Sequence, residues 1–376
     1  MARRAKVSPK PTSAASRAKS AAAASPGGIF VVGVGASAGG LQALQAFFGA
    51  LTEPLNAAFV VVQHLSPDFK SFMVELLAKH TRMQVQRAEH GAAVRAGNIY
   101  LIPPKVTLTI SRGRLQLAKS DPRRGLHLPI DEFFISLAQD QQRRAVAIVL
   151  SGTGSDGTAG IRAIKDAAGM VMVQSEDSAQ FDGMPRSAIA TGLADFVLPP
   201  AEMPGHLARY LSHPLLAPNH AATRERGNVE ATLGEIFTLL RGQTGVDFSH
   251  YKPATIDRRI ERRMSVCQIT ELTDYARHLA QSSREVSLLF NELLIGVTSF
   301  FRDAKAWQTL EKDVLPSLLK AVPPGEPLRA WVAGCSTGEE AYSMAMLFAE
   351  AMDRLKLHPQ VKIFATDISK DSLGTA

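Results

Sequence analysis

Three polar residues of this sequence could act together as a nucleophile, a base and an orienting acid. Ser37 stands in a glycine-rich turn, His64 follows an apolar segment, and Asp156 lies in a second glycine-rich turn. A serine hydroxyl becomes a useful nucleophile when an imidazole takes its proton, and a carboxylate then fixes the imidazole tautomer and stabilises its cation. The set therefore indicates acyl-transfer chemistry, provided that the fold brings the three side chains together.

Each of the three residues comes soon after a segment that is typical of a buried strand. These segments cover residues 29–32, 57–62 and 145–150, and Gly33 is expected to end the first of them and open a turn. Helical patterns follow each segment, so the sequence predicts a doubly wound, mostly parallel α/β sheet over residues 28–200. Ligands of such sheets bind beyond the carboxyl ends of the strands, where the three residues are expected to converge.

Each residue also has an ordinary structural interpretation. Ser37 could cap the helix that follows it, His64 could be a loop or core histidine, and Asp156 could be a turn residue or an N-cap. The glycine spacing around Ser37 is also compatible with a dinucleotide-binding turn. That fold needs an acidic residue at the end of the second strand, where this chain has Gln63 and His64.

Composition excludes several classes of function. The chain has 376 residues, a net charge of +7 and two cysteines. Six basic residues and no acidic ones fall in the first 26 positions, so the excess charge belongs to a tail, residues 1–27, that we expect to be disordered. The nearly neutral remainder argues against nucleic acid as a partner. Neither cysteine has metal-ligand spacing and no apolar run is long enough to span a membrane, so we expect a cytoplasmic protein without a metal or membrane insertion.

The second half of the chain divides into three parts. Residues 201–228 read as a linker, residues 229–322 as a small all-α domain, and residues 323–376 as an incomplete α/β domain. In the last part a strand leads into a glycine turn and a helix, and a second strand ends at Asp367. This arrangement suits a nucleoside cofactor, because the turn approaches the cofactor closely and the carboxylate binds ribose hydroxyls.

The most basic segment of the all-α part carries four arginines, Arg258, Arg259, Arg262 and Arg263. Residues four apart share a helix face, so Arg258 is paired with Arg262 and Arg259 with Arg263. This face is either solvated, with neighbouring acids as partial partners, or a dock for an acidic partner helix. The aromatic residues and glycines of a base-stacking surface are not interleaved here, which disfavours nucleic acid.

Four separated motifs follow one another in the first half. They are Gly35-Ala36-Ser37-Ala38-Gly39-Gly40, Gln63-His64, Ser151-Gly152-Thr153-Gly154-Ser155-Asp156-Gly157 and Gly183-Met184-Pro185. Together they resemble the CheB-type chemotaxis methylesterases over roughly residues 29–200. The resemblance implies hydrolysis of glutamate γ-methyl esters on chemoreceptors, with release of methanol and without a cofactor. It makes Ser37 the nucleophile, His64 the general base and then acid, and Asp156 its orienter.

The same resemblance assigns Ala38, Thr153 and Met184 to the oxyanion or substrate site. Backbone N–H groups of the Ser37 and Thr153 turns would stabilise the oxyanion, an effect commonly worth ~3 kcal/mol per donor. The family often has threonine where this chain has Ala38 and methionine where it has Thr153. Both departures lie beside the reaction centre, so they bear on rate and substrate preference more than on the type of reaction.

Motifs of the second half include Val297-Thr298-Ser299-Phe300-Phe301-Arg302-Asp303 and Gly334-Cys335-Ser336-Thr337-Gly338-Glu339-Glu340. With the strand that ends at Asp367 they resemble the CheR-type chemotaxis methyltransferases, which use S-adenosylmethionine to esterify receptor glutamates. The resemblance runs from about residue 230 to the end. It implies cofactor contacts by Thr298, Arg302, Glu340 and Asp367, and receptor contacts by the helix of the four arginines.

The sequence thus predicts a protein that modifies a methyl-accepting chemoreceptor or a similar signalling protein, with a serine methylesterase domain joined to the first part of a methyltransferase. A doubly wound sheet usually has about five or six strands, and the cofactor part shows two. We therefore expect a fragment of a longer fusion, without methyltransferase turnover. The alternative is a non-catalytic signalling scaffold that binds receptor or partner helices, and Ala38 and Thr153 keep that alternative open.

Overall fold

The computed structural model describes residues 28–52, 55–63, 72–119, 128–216, 226–294, 296, 298–323 and 325–376. His64, the predicted tail and most of the predicted linker therefore lie outside the described residues. The helix that the spacing of Phe72, Leu76 and Leu77 predicts between residues 68 and 80 is described only from residue 72.

Strands are the first set of elements. The described residues form eleven of them: β1 (Phe30–Ala36), β2 (Ala57–Gln63), β3 (Gln84–Arg87), β4 (Asn98–Leu101), β5 (Val106–Ser111), β6 (Arg114–Lys119), β7 (Ala145–Val149), β8 (Met170–Gln174), β9 (Phe196–Leu198), β10 (Leu328–Ala333) and β11 (Val361–Thr366).

Helices are the second set. The α-helices are α1 (Gly40–Ala50), α2 (Met73–Ala78), α3 (Pro129–Gln141), α4 (Thr158–Asp166), α5 (Gly183–Ala190), α6 (Met203–Leu211), α7 (Arg226–Thr244), α8 (Pro253–Cys267), α9 (Leu272–Gln281), α10 (Ser283–Leu293), α11 (Ala304–Thr309), α12 (Leu315–Ala321), α13 (Glu339–Leu355) and α14 (Lys370–Thr375). Shorter helical turns cover Gln142–Arg144, Glu176–Ser178, Pro214–Leu216 and Leu310–Val314.

Seven strands form a parallel sheet in the order β3-β4-β2-β1-β7-β8-β9. One face packs against α3, α4 and α5, and the other against α1, α2 and α6. Because both faces are covered, the central strands are apolar along their whole length, as in Ala145–Val149, where every residue is buried. The predicted doubly wound sheet is confirmed, and β5 and β6 form a separate antiparallel hairpin.

The first strand is longer than the sequence suggested, because Gly33 and Gly35 lie within β1 instead of ending it. A Cβ atom on Gly33 would come within 2.8 Å of the Phe134 ring, and one on Gly35 within 2.5 Å of Ile130. Glycine is therefore required by the close packing of α3 on this strand. The turn begins only after Ala36.

The sheet domain also extends further than predicted. Helix α6 falls in the segment that we assigned to the linker, yet Met203, Leu207 and Tyr210 are buried against the same core as β1 and α1. These three residues lie on one face of α6 and pack on the sheet core, so the sheet domain ends near residue 211, where α6 ends. Sequence analysis also missed β3, whose four residues are at most half-buried at the edge of the sheet.

Two further cores follow along the chain. Helices α7 to α10 pack around a core that includes Ile236, Leu240 and Tyr275, as expected for an all-α part. Strands β10 and β11 form a two-stranded parallel sheet with α13 between them in sequence, as predicted. Among the described residues, no helix combines the length and the apolar character needed to cross a membrane.

Candidate active site and cofactor cleft

Ser37 lies at the carboxyl edge of the seven-stranded sheet, directly after β1. The preceding residue, Ala36, pairs with Gln63 at the end of β2, and Gly35 pairs with Val149 at the end of β7. The Ser37 N–H donates to the Ser151 carbonyl at 2.9 Å, and the Ser37 carbonyl accepts the Gly40 N–H at 2.9 Å. The backbone at Ser37 is thus fixed between the turns after β1 and β7.

The turn after β7 packs directly against Ser37. A Cβ atom on Gly152 would lie 2.8 Å from the Ser37 Cβ and 2.2 Å from the Met184 Sδ. A Cβ atom on Gly183 would lie 3.3 Å from the Thr153 Cα. The structure therefore brings Ser37, Thr153 and Met184 to one place, and only glycine fits between them.

Ser151 is a site residue that sequence analysis quoted in a motif but gave no role. Its hydroxyl donates to the Ala38 carbonyl at 2.9 Å and accepts the Phe181 N–H at 3.0 Å, and the residue is fully buried. One hydroxyl therefore ties the Ser37 turn to the segment that leads into α5. Gly39 has φ of +72°, and a Cβ atom there would lie 2.7 Å from this hydroxyl.

Asp156 is buried at the same edge of the sheet and has a capping role that differs from the one considered above. Its carboxylate accepts the N–H of Ile130 at 3.1 Å and that of Asp131 at 2.9 Å. Both donors belong to the first turn of α3, so Asp156 caps that helix. The described part of the predicted triad consists of Ser37 and Asp156, since His64 lies outside the described residues.

Asp131 is a second buried acid that sequence analysis missed. Its carboxylate accepts the Gly160 N–H in the first turn of α4 at 2.6 Å. Asp156, which precedes α4, therefore caps α3, and Asp131, which lies in α3, caps α4. Burial raises the pKa of Asp131 to about 6, and the neighbouring Asp156 charge adds to that rise against the opposing hydrogen bond from Gly160. In the sequence, Asp131 looks like any other aspartate in the first turn of a helix. Its special environment comes only from the contact of α3 with α4.

The raised pKa of Asp131 predicts a stability that depends on pH. The folded state holds this proton up to about pH 6, whereas the unfolded chain loses it near pH ~4. Stability is therefore lost as pH rises through that window. We expect Asp131→Asn, which keeps an oxygen acceptor for Gly160, to be more stable than the parent by about 1–2 kcal/mol at pH 8 and equal to it near pH 4. Denaturant midpoints at both pH values measure the difference.

The matched control is Glu132→Gln, which removes an exposed carboxylate from the same turn of α3. We expect this variant to follow the parent at both pH values. An Asp131→Asn variant that gained no stability at pH 8 would show that the acid is ionised in the folded protein at no cost.

The predicted cofactor residues line a common cavity in the last part of the chain. Thr298, Arg302, Glu340 and Asp367 all border a space of about 380 Å³, which we call the cofactor cleft. Trp307 contributes an aromatic wall to it. The cleft therefore offers carboxylates, a hydroxyl, a guanidinium group and an aromatic surface to one ligand.

Asp367 is oriented by the two turns on either side of the cleft. Its Oδ2 accepts the Ser336 N–H at 2.7 Å, and its Oδ1 accepts the Ser369 N–H at 2.8 Å. Each oxygen keeps a second lone pair for a hydroxyl donor. Gly296 also borders the cleft, and a Cβ atom there would lie 2.6 Å from the Ser336 Oγ, so a side chain at this position would displace Ser336.

The structure separates the four arginines that were predicted to contact a receptor. Arg258 is exposed, whereas Arg259, Arg262 and Arg263 are 3%, 3% and 5% exposed. The two predicted arginine pairs, Arg258 with Arg262 and Arg259 with Arg263, therefore do not form solvent-exposed faces. Helix α8 lies against the sheet domain and α10, and this contact buries three of the four side chains. In this arrangement three of the four guanidinium groups have partners within the chain and are not available to a receptor.

Cys267, His278 and Glu285 form a group whose possible ligand atoms lie within 4.8 Å of one another. The carboxylate of Glu285 already accepts two hydrogen bonds from Arg263, at 2.9 and 2.7 Å, and one from Tyr275 at 2.8 Å. Burial raises the pKa of the Cys267 thiol to about 12, and the Glu285 charge adds to this. A neutral thiol beside an arginine-bound carboxylate is a poor cation site, so we assign no metal to it.

Comparison with protein families identifies three consecutive regions. Residues 32–207 match the CheB methylesterase family, residues 231–294 match the all-alpha domain of the CheR methyltransferases, and residues 296–376 match the CheR SAM-binding domain. The chain thus carries, in order, a region that matches the CheB methylesterases and two regions that match the CheR domains. We refer to them below as the esterase domain, the helical domain and the cofactor domain.

Two similar proteins cover different shares of the chain. An uncharacterized 104.1 kDa protein from Rhodobacter capsulatus is 43% identical over 324 residues, which are 81% of this chain and 34% of that protein. A protein-glutamate methylesterase/protein-glutamine glutaminase from Paramagnetospirillum magneticum is 38% identical over 178 residues, 47% of this chain and 50% of that protein. The chain thus spans a third to a half of the length of these relatives.

One solved structure is similar to part of this chain. The Thermotoga maritima CheB methylesterase catalytic domain is 31% identical, with a TM-score of 0.44, and the match covers 48% of this chain and 97% of that one.

Proposed function

We propose that the esterase domain hydrolyses the γ-methyl esters of protein glutamates and releases methanol. Ser37 is the nucleophile, His64 the base and Asp156 the acid that orients it. The observation that carries this proposal is the placement of Ser37 and Asp156 at one carboxyl edge of the sheet, together with the pairing of Gln63, the residue before His64, with Ala36, the residue before Ser37. The match to the CheB methylesterase family supports the substrate class.

The proposed reaction runs in two halves. The Ser37 Oγ attacks the ester carbonyl carbon while His64 accepts the hydroxyl proton, and the C–O bond to methanol breaks as His64 returns that proton to the leaving oxygen. Water then attacks the acyl-serine with His64 as base again, which releases the glutamate carboxyl group and restores Ser37. The orienting carboxylate stabilises the imidazolium in both halves.

Backbone N–H groups are the proposed donors to the oxyanion that forms in each half. Those of Ala38 and Thr153 pair with no other described residue, and each belongs to a turn that the hydrogen bonds of Ser151 hold in place. Such preorganised donors are commonly worth ~3 kcal/mol each. The backbone supplies them whatever the side chain, so Ala38 and Thr153 are compatible with this role.

Methanol release from a methylated chemoreceptor tests the proposal against the scaffold alternative. A scaffold would bind the receptor without producing methanol. The Paramagnetospirillum magneticum relative is also named a protein-glutamine glutaminase, and hydrolysis of a glutamine carboxamide uses the same acyl-serine, with ammonia as the leaving group. Measurement of ammonia in the same reaction distinguishes the two substrates. The receptor partner and the cytoplasmic setting are part of this proposal and rest on the matched families.

We propose that the cofactor cleft binds S-adenosylmethionine, as the CheR SAM-binding match suggests. Asp367 is suited to the ribose hydroxyls, because its oxygens are held by backbone N–H groups and keep free lone pairs. Glu340 and Arg302 are suited to the charged amino-acid end, and Thr298 to a hydrogen bond with it. The cofactor, when bound, supplies an electrophilic methyl group on a sulfonium. These residues bind and orient it.

We expect binding of S-adenosylmethionine by this chain to be weak, with a Kd above ~100 μM by titration calorimetry. The sheet behind the cleft has two described strands, and its Trp331 and Phe364 side chains are 72% and 52% exposed. Parallel sheets normally have both faces covered. Because one face of the β10–β11 sheet is exposed, we expect these strands to hold the residues of the cleft less rigidly. Methyl transfer to receptor glutamates is expected to be undetectable. Tight binding would show that two strands are sufficient.

A further inference from the structure

Helix α8 buries three of its four arginines, and this burial requires partners. Arg259 and Arg262 are each 3% exposed, although α8 is the most basic helix of the chain. A guanidinium group without partners is very costly to remove from water. The partners of these arginines therefore identify the surface that this face of α8 contacts.

The first set of partners is the carboxyl end of α4 in the esterase domain. Arg259 donates to the carbonyl oxygens of Lys165 and Asp166, and the Arg262 Nε donates to the Gly169 carbonyl at 2.8 Å. The last carbonyls of a helix lack partners within it and carry the negative end of its dipole. Arg259 of the helical domain thus caps α4 of the esterase domain, and Arg262 binds the Gly169 carbonyl in the loop that follows α4.

The second set of partners is a group of buried charges from both domains. Lys165 and Asp195 come from the esterase domain, and Arg259, Arg262 and Glu292 from the helical domain. We call these five residues the interdomain ion cluster. Lys165 lies 2.9 Å from Asp195 and 2.8 Å from Glu292, and Arg262 pairs with both acids. All five side chains are at most 5% exposed.

Opposite charges offset the cost of burial in this cluster. Burial by itself raises the pKa of Asp195, but the charges of Arg262 and Lys165 outweigh it and hold the pKa of that carboxyl below its usual range. The acid is therefore ionised, and Arg263 at 3.7 Å and the Val171 N–H at 2.9 Å also favour its charge. Leu215, in the short helical turn that follows the esterase domain, is buried in the core of the helical domain, so the connecting segment is packed on that domain as well.

We propose that Arg259 and Arg262 of α8 form a docking surface whose acidic partner is the esterase domain of the same chain. The partner patch consists of the carboxyl end of α4 together with Asp195. The two domains then unfold as one unit, and an acidic partner from outside can reach these arginines only by displacing that patch. Helix α4 begins two residues after Asp156, so the docked helix is also the one that follows the proposed orienting acid.

The test compares Arg262→Met with Arg258→Met in the full chain. Both substitutions remove one guanidinium group from α8, but Arg258 is exposed and lies outside the cluster. We expect the melting temperature to fall by ~10 °C for Arg262→Met, because a buried pair is broken, and by less than ~2 °C for Arg258→Met. Hydrogen exchange is expected to accelerate at residues 165–171 and 195, which belong to the other domain.

A double-mutant cycle with Asp195→Asn distinguishes docking from local stability. If the two domains are docked in solution, the combined variant falls in melting temperature by much less than the sum of the single variants. Additive losses, with unchanged exchange at residues 165–171, would overturn the proposal. Should Arg262→Met fail to fold, Glu292→Gln serves instead, because the substitution lies in the helical domain and the exchange is read in the esterase domain. Neither measurement depends on esterase activity.

Discussion

Ser37→Ala is expected to abolish methanol release from a methylated receptor, with a loss of at least ~10⁴-fold in kcat. The hydroxyl is the atom that forms the bond to the acyl group in the proposed reaction, and no other hydroxyl is held at this position by the described turns. Both hydrogen bonds given above for Ser37 use its backbone N–H and carbonyl, which alanine keeps. We expect the free energy of unfolding to change by no more than about 1.5 kcal/mol, the usual net contribution of one hydroxyl hydrogen bond.

The control for this prediction is Ser155→Ala, which removes an exposed hydroxyl from the turn after β7. It is expected to retain both methanol release and stability. Initial rates of methanol formation and a thermal melt of each variant decide the outcome. Undiminished activity of Ser37→Ala would remove Ser37 from the mechanism, and an inactive parent protein would favour the scaffold.

The sheet was predictable because its signal is local. Every residue of β7 is apolar, and such a run allows few interpretations once a glycine turn and a helical pattern follow it. Parallel strands then place the residues that follow them at one edge by topology alone. This reasoning was sufficient to select Ser37 and Asp156 before any contact was known, and to select Asp367 at the edge of the second sheet.

Other features depend on residues distant in the sequence and could not be predicted from local patterns. Gly33 was interpreted as a strand breaker, but it is in the strand because the Phe134 ring occupies the space of a side chain. The spacing of Arg262 in α8 predicts a shared face with Arg258 that is either solvated or a dock for an acidic helix, but its contacts with Gly169 and Asp195 cross 93 and 67 residues. Helical spacing identifies which residues share a face and does not identify what covers it.

Asp156→Asn is expected to lower kcat by ~10⁴-fold and also to destabilise the fold, unlike Ser37→Ala. An amide cannot hold the imidazole in the tautomer that accepts a proton from serine. It also has one acceptor oxygen, whereas the carboxylate uses one oxygen for the Ile130 N–H and the other for the Asp131 N–H. One buried N–H therefore loses its partner, at a cost of about 1–3 kcal/mol.

The same substitution also changes how the stability of the fold depends on pH. The charge of Asp156 contributes to the raised pKa of Asp131, after burial as the larger cause. Removal of that charge lowers the pKa of Asp131, so stability should fall less steeply between pH 4 and 6 in Asp156→Asn than in the parent. The exposed Asp177→Asn is the control and should leave rate and slope unchanged. Full methanol release by Asp156→Asn, with only the stability altered, would restrict Asp156 to capping α3.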